Sequence, residues 1–323
     1  MFEVLIVDYS EASCPIEVAM LKDAGMNVVF EPNGTVENII AAGANATAMV
    51  AVESPIPEAV FEALPNLRMV SYPGIGVDIV DLDAAREHGI WVTNVPTANI
   101  TEVATHTLAM ALSLVRALPL YDRDMHAGIF NYVAHGPLRR PNTMTFGIAG
   151  LGNIGRIVGS YATPFFGRVV GYDPYVPADA WPDGVERIDD LGELLGQSDV
   201  FTLHMPLTAD NGNLIDAAAL ATMKPGSYFI NVSRGGLVDI DAVVATLDSG
   251  HLAGAGLDVF PEEPMTPGHA ILSHPRAILS PHSAFFSTSA DEELRIGSID
   301  NITAWRDNGR PNYVVIEGKE GCP

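Results

Sequence analysis

Hydrophobic positions in this chain fall into short runs separated by longer amphipathic stretches. Val4 to Val7, Val28 to Phe30, Ala48 to Val52, Met69 to Ser71 and Trp91 to Thr93 are apolar or β-branched runs of strand length. Between them, Pro15 to Ala24 and Val36 to Ala42 carry helical spacing. Strands alternating with helices specify a parallel sheet, because a parallel neighbour needs a crossover long enough to hold a helix. A second series of runs starts at Phe146, Ile148 and Ala149 and continues through Val169 to Tyr172, Val200 to His204, Tyr228 to Val232 and Ala253 to Val259. Between the two series, Thr101 to Leu118 reads as one long apolar helix. Val103, Thr107, Met110, Ala111, Leu114 and Val115 share one of its faces, and Arg116 suits its C-terminal end. Tyr121 to Pro141 has little periodicity and reads as an arm or a surface connection. The expected fold class is α/β: two doubly wound parallel-sheet domains, Rossmann- or flavodoxin-like, with a cleft between them.

The second series opens on Gly150-Leu151-Gly152-Asn153-Ile154-Gly155, placed between a strand pattern and a helical one (Ile157, Val158, Tyr161, Ala162, Phe165). In a strand–turn–helix context the first glycine permits the tight turn, the second admits a pyrophosphate against the backbone, and the third lets helix pack on strand. Asp173 lies eighteen residues past Gly155, at the end of the next strand. A carboxylate there can accept from both ribose hydroxyls of an adenosine and would repel a 2′-phosphate, so the expected dinucleotide is NAD rather than NADP. An acidic residue beside Pro174 also suits an ordinary turn.

Composition narrows the remaining options. The 323 residues suffice for two cores, and 48% hydrophobic with 18% charged residues describes a globular chain rather than a disordered one. Seventeen Lys and Arg against forty Asp and Glu give a formal net charge of −23, a surface that repels nucleic acid and anionic membranes. Cys14 and Cys322 have no metal-ligand spacing, and no pair among the nine histidines has an HExxH context, so no metal is expected. The N-terminus, Met1 to Asp8, reads as a buried strand without a basic leader, and no apolar run reaches membrane-spanning length. The expected location is cytoplasmic.

Ligands of open α/β sheets gather at the carboxyl ends of strands. Three such ends carry chemistry: Asn231-Val232-Ser233-Arg234-Gly235, Leu257-Asp258-Val259-Phe260-Pro261-Glu262-Glu263-Pro264, and Leu279-Ser280-Pro281-His282-Ser283. An arginine can clamp a carboxylate and polarise a neighbouring carbonyl by a forked pair of hydrogen bonds. A histidine can give a proton to a developing alkoxide, and a carboxylate beside it favours the imidazolium. Arg234, Glu263 and His282 therefore point to hydride transfer between a nicotinamide and a 2-oxo acid. Taken singly, each has a plain alternative: a surface charge, a loop acid before proline, a satisfied core histidine. In the first series, Pro73-Gly74-Ile75-Gly76-Val77-Asp78 follows a strand. Its backbone N–H groups suit a substrate carboxylate, and a turn demanding positive φ at glycine explains the same spacing.

Through GLGNIG, LHMPLT, NVSRGGLVD, GLDVFPEEP and SPHSAFFS the whole chain resembles the D-isomer-specific 2-hydroxyacid dehydrogenase family. Within it, Gly136 to Arg140, Tyr172 to Pro177 and His282 to Ser287 are most similar to the C-terminal-binding-protein-like branch. The resemblance implies Arg234 as the substrate-binding arginine, His282 as acid/base and Glu263 rather than Glu262 as its partner. It implies a discontinuous substrate domain (1–100 and 287–323) with a cofactor domain (101–286) inserted. It places Asn153 and Ile154 under the pyrophosphate, Met205, Pro206 and Asn211 along the adenine, and Val103, Val232, Ser233 and Asp258 around the nicotinamide. It also implies a homodimer built through residues 118–145. The branch has arginine where this chain has Tyr72 and tryptophan where it has Phe285. Without that arginine the substrate carboxylate is left to the backbone donors of Gly74, Ile75 and Gly76 and to Arg234, while Phe285 and Phe286 predict an apolar wall and hence a substrate with an aliphatic or aromatic side chain. Glu53-Ser54-Pro55, where a basic cluster would serve a phosphate, counts against phosphoglycerate, and Ile75, where phosphite dehydrogenases carry lysine, counts against phosphite. The alternative is an NAD(H)-sensing dimeric scaffold like that branch's co-repressors. A chain ending within a few residues of Val315 leaves little tail for partner docking.

Overall fold

The computed structural model describes residues 2–319, so Cys322 lies outside the described residues. Two compact units result, one of residues up to Asn99 together with those from Ser287 onward, the other Ile100–Phe286.

The first unit holds strands β1 (Glu3–Val7), β2 (Asn27–Glu31), β3 (Ala48–Val50), β4 (Met69–Ser71) and β5 (Trp91–Thr93). Helices α1 (Pro15–Asp23), α2 (Val36–Ala42), α3 (Glu58–Ala63) and α4 (Leu82–His88) alternate with them. All pairings are parallel, in the order β2-β1-β3-β4-β5, the doubly wound order of flavodoxin-like sheets. Period-two alternation divides each strand between two cores. Leu5 and Val7 join Ile39, Val60 and Val92 on one face, while Val4 and Ile6 join Leu21 and Trp305 on the other. The last helix of the chain, α11 (Thr288–Asn308), closes that second face with Ile299, Ile302 and Trp305, all fully buried. Each such side chain contributes about 1.5–3 kcal/mol of burial. Ser287 caps α11 by accepting from the Ala290 amide, and Gly309 ends it at φ 73.

The second unit holds α5 (Ile100–Val115), α6 (Leu118–His126), β6 (Thr145–Ala149), α7 (Asn153–Ala162), β7 (Arg168–Tyr172), β8 (Glu186–Arg187) and α8 (Leu191–Gln197). It continues with β9 (Val200–Leu203), α9 (Ala217–Thr222), β10 (Ser227–Asn231), α10 (Ile240–Asp248), β11 (Leu252–Leu257) and β12 (Ala277–Leu279). Its seven parallel strands run β12-β11-β10-β9-β6-β7-β8, so the direction of winding reverses between β6 and β9. That reversal is where a Rossmann-type sheet opens for a dinucleotide.

Two expectations from periodicity need correction. The apolar helix predicted over Thr101 to Leu118 stops at Val115, because Ala117 takes φ 51 and Pro119 cannot continue a helix through its missing N–H. The segment from Tyr121 is not all irregular, since Tyr121 to His126 belong to α6, bent by 63° from α5. Helical periodicity is hidden there because Leu118 and Met125 are exposed rather than facing the core. Among the described residues no single helix is long and apolar enough to cross a membrane.

Candidate active site in the second unit

The glycine turn sits at the β6/β9 reversal. Gly150 adopts φ 91, and a Cβ there would fall 2.3 Å from the His204 carbonyl oxygen, so only glycine fits between the two strand ends. A Cβ on Gly155 would lie 2.0 Å from the Gly150 oxygen, which forces close packing of α7 on the turn. A Cβ on Gly152 would meet nothing within 4 Å beyond its chain neighbours. The first and third glycines are thus required by the protein itself, whereas the space over the second, at the N-terminus of α7 beside Asn153 and Ile154, is open to an anion such as a pyrophosphate. Asp173 is fixed by its own backbone contacts: Oδ2 accepts from the Leu151 amide at 2.8 Å and Oδ1 from the Tyr175 amide at 2.9 Å.

Across the reversal, His204 continues from β9. Its enclosed imidazole is pushed down to about 3 by burial and stays neutral, 3.1 Å from Thr202 Oγ1. Met205 packs on the second unit's core. Asn211 spends its amide on its own loop, donating to the Pro206 oxygen at 2.9 Å and accepting from the Thr208 amide at 2.7 Å. Val103 on α5 and Val232 after β10 are each 7% exposed and share one apolar cluster, against which Phe285 packs.

The three charged residues come from three adjacent strand ends, β10, β11 and β12. Past β10, Asn231 shapes the turn by accepting from the Ser233 amide at 3.0 Å and donating to the Arg234 oxygen at 2.8 Å. The Ser233 hydroxyl donates to the Leu203 oxygen at 2.6 Å, tying this turn to β9. Arg234 donates to the Ser233 oxygen at 2.7 Å. Past β11, the Phe260 amide donates to Glu263 Oε1 at 2.8 Å, and Oε2 lies 2.6 Å from His282 Nδ1. Burial alone would raise the Glu263 carboxyl. The His282 and Phe260 hydrogen bonds, with the positive charges of His282 and Arg234, outweigh it and hold Glu263 below the usual carboxylate range. Glu262, by contrast, is engaged with the Thr266 hydroxyl at 2.7 Å.

An imidazole whose Nδ1 faces an ionised carboxylate presents Nε2 as the group free to exchange a proton. The Phe285 ring meets the His282 ring edge-on at 6.2 Å. The Asp258 carboxylate, expected from resemblance beside the nicotinamide, is fully buried and accepts from Ser280, Ser283 and Ala284. His106 and Ser280, which sequence reasoning passed over, join that cluster, with His106 Nε2 2.9 Å from Ser280 Oγ. The available signal was the spacing of His106 three residues after Val103, on the same helical face.

The remaining predicted residues lie in the first unit. Neither Gly74 nor Gly76 adopts a positive φ, so the turn-strain explanation does not apply to them. A Cβ on Gly74 would fall 2.3 Å from the Tyr72 ring, so a larger residue there would have to displace that ring. The Ile75 oxygen accepts from Asn94 Nδ2 at 2.7 Å and the Gly74 oxygen from the Val95 amide at 2.8 Å, which orders the segment. Among the described residues, no group of three or more His, Cys, Asp or Glu side chains could hold a metal ion.

Residues 108–284 match the family model described as D-isomer specific 2-hydroxyacid dehydrogenase, NAD binding domain. The chain is 34% identical over 295 residues to a D-3-phosphoglycerate dehydrogenase of Mycobacterium tuberculosis, an alignment covering 91% of this chain and 55% of that one. It therefore spans about half the length of that relative. It is 39% identical over 242 residues to an (S)-sulfolactate dehydrogenase of Chromohalobacter salexigens, covering 74% of this chain and 77% of the other. Among solved structures it resembles a D-lactate dehydrogenase of Aquifex aeolicus complexed with NAD and lactic acid, at 27% identity and a TM-score of 0.86, covering 98% of this chain and all of that one. The glycine turn, the strand order and these similarities agree: the chain belongs to the D-isomer-specific 2-hydroxyacid dehydrogenase family, and its second unit is an NAD-binding domain.

Proposed function

We propose that this protein is an NAD-dependent oxidoreductase that interconverts a 2-oxo acid and a D-2-hydroxy acid. One observation carries the reading most: His282 Nδ1 stands 2.6 Å from Glu263 Oε2 across nineteen residues of sequence. A carboxylate kept ionised there stabilises the imidazolium, so Nε2 can protonate the oxygen of a reducing carbonyl and recover the proton in the opposite direction. Bound NADH would supply the hydride, with Gly152, Asn153 and Ile154 toward the pyrophosphate, Asp173 toward the adenosine ribose, and Val103 and Val232 against the nicotinamide. Arg234 holds the substrate carboxylate and its carbonyl in one plane through two parallel N–H donors. The first unit is read as the substrate-binding domain, with the segment from Tyr72 to Gly76 receiving the acid. A homodimer is proposed through residues 118–145, where Leu118, Ile129, Phe130, Tyr132 and Val133 expose 56, 47, 90, 86 and 61% of their surface. Light scattering should give twice the 34.4 kDa chain mass, and a monomer at micromolar concentration refutes it. Cytoplasmic residence fits the free, buried thiol of Cys14.

The substrate is read as a 2-oxo acid with an apolar side chain. Phe285 lies beside His282, and the main-chain donors at the end of β3 are already used, with the Val52, Glu53 and Ser54 amides and the Ser54 hydroxyl all donating to the Asp8 carboxylate. NADH oxidation should be followed with glyoxylate, pyruvate, hydroxypyruvate, 2-oxoisocaproate, phenylpyruvate and 4-methylthio-2-oxobutyrate. kcat/KM is expected to rise with apolar side-chain size. Preference for 3-phosphohydroxypyruvate, or silence throughout with NADH still tightly bound, would defeat the substrate class or the enzymatic reading respectively.

A further inference from the structure

His282 takes φ 50, a conformation uncommon outside glycine, so the loop around it must impose the shape. Asp258, fully buried at the end of β11, is the hub of that loop. Its main-chain oxygen accepts from the His282 amide at 2.7 Å. Oδ1 accepts from Ser280 Oγ at 2.5 Å and from the Ser283 amide at 2.9 Å, and Oδ2 accepts from the Ala284 amide at 2.9 Å. Of these four bonds, only the Ser280 bond comes from a rotatable hydroxyl. A hydroxyl has one proton, and with it committed to the carboxylate, the Ser280 oxygen can only accept from anything else. His106 Nε2 stands 2.9 Å from that oxygen and 3.8 Å from Asp258 Oδ1, and a hydrogen bond to an oxygen that can only accept requires the tautomer whose Nε2 carries the proton. Reaching out from α5, it closes the free side of the hydroxyl.

We propose that His106 is a positioning residue for this site: its Nε2–H fixes the Ser280 hydroxyl on Asp258, which holds the loop that presents His282 to Glu263. The inference rests on the dehydrogenase reading for its kinetic consequence, though not for the clamp itself. A shift of an ångström in His282 is enough to slow proton transfer by about 100-fold. His106→Leu should lower kcat about 10- to 100-fold, with the KM for NADH and the melting temperature close to those of the wild type. His106→Gln, whose amide nitrogen reaches a similar position with a donor, should recover most of the rate. Ser280→Ala should reproduce the His106→Leu loss, and the double variant should be no slower than either single one, since both remove the same contact.

Hydrogen exchange of a peptide spanning residues 280–286 gives a readout independent of turnover. The Leu variant should exchange faster there and the Gln variant should not. Equal rates and equal exchange in wild type and His106→Leu would overturn the proposal, as would Gln and Leu variants impaired alike. Should the wild type reduce no 2-oxo acid, the dehydrogenase reading fails, and the exchange comparison alone then decides whether His106 holds the loop.

Discussion

Replacing His282 with Asn is expected to lower kcat for 2-oxo acid reduction by about 10²- to 10⁴-fold, the span of a positioned general acid. Asn is the informative substitution because it tolerates the left-handed backbone that His282 adopts at φ 50. Alanine would add backbone strain to the loss of the proton donor. The Asn side chain can still approach Glu263 but has no group that titrates near neutrality, so the contact is imitated while the acid is removed. NADH affinity, read by fluorescence titration, should change no more than a few-fold, because the glycine turn and Asp173 lie at other strand ends. A variant that keeps wild-type turnover would remove His282 from the mechanism. A variant that loses NADH binding in parallel would instead assign His282 to the cofactor site.

Arg234→Met should be as damaging in a different parameter. The chain retains length and apolar stem but loses the planar fork that reads carboxylate and carbonyl together. Two charge-assisted hydrogen bonds, each worth about 1.5–3 kcal/mol, correspond to a loss of roughly 10²- to 10⁴-fold in kcat/KM. The loss should appear partly as a raised KM for the 2-oxo acid and partly as lower kcat, because one arm of the fork strengthens as the carbonyl oxygen becomes negative. Arg234→Lys should recover little, since a point charge cannot span both oxygens. Arg234 is also one of the positive charges that hold Glu263 below the usual carboxylate range. Its removal should let the Glu263 pKa rise. As the pH falls, Glu263 then protonates earlier, and the acid limb of the residual activity should move to higher pH. An unchanged KM for every acid in the panel would exclude the clamp.

Much of the fold was legible because its signals are local. Strand runs, intervening helical spacing and the glycine turn each lie within a few residues, and parallel pairing follows from alternation alone. α2, β4 and β5 fall where their runs place them. Exposed elements were less legible. α6 turns Leu118 and Met125 outward, so the polar–apolar contrast that reveals a helix is absent, and the break after α5 depends on one residue at φ 51. Arg234, Glu263 and His282 could be nominated because each follows a strand run and ligands gather at such ends. Asn211 was nominated by resemblance, and the fold shows its amide committed to Pro206 and Thr208.

Residue order by itself determined the alternation, the identity of the glycine turn, the acid at Asp173 and the supply of an arginine, a carboxylate and a histidine. Tertiary structure decided which of them meet. Glu263 rather than its neighbour Glu262 faces His282 because the Phe260 amide turns its carboxylate there, nineteen residues away in sequence. The joining of His106, Ser280 and Asp258 depends on α5 passing beside β11, which brings His106 to Ser280 across 174 residues of sequence. Periodicity reports which face of an element is buried. Which side chains of another element it is buried against is set by the packing of the whole unit, where hydrogen-bond geometry is sensitive to tenths of an ångström.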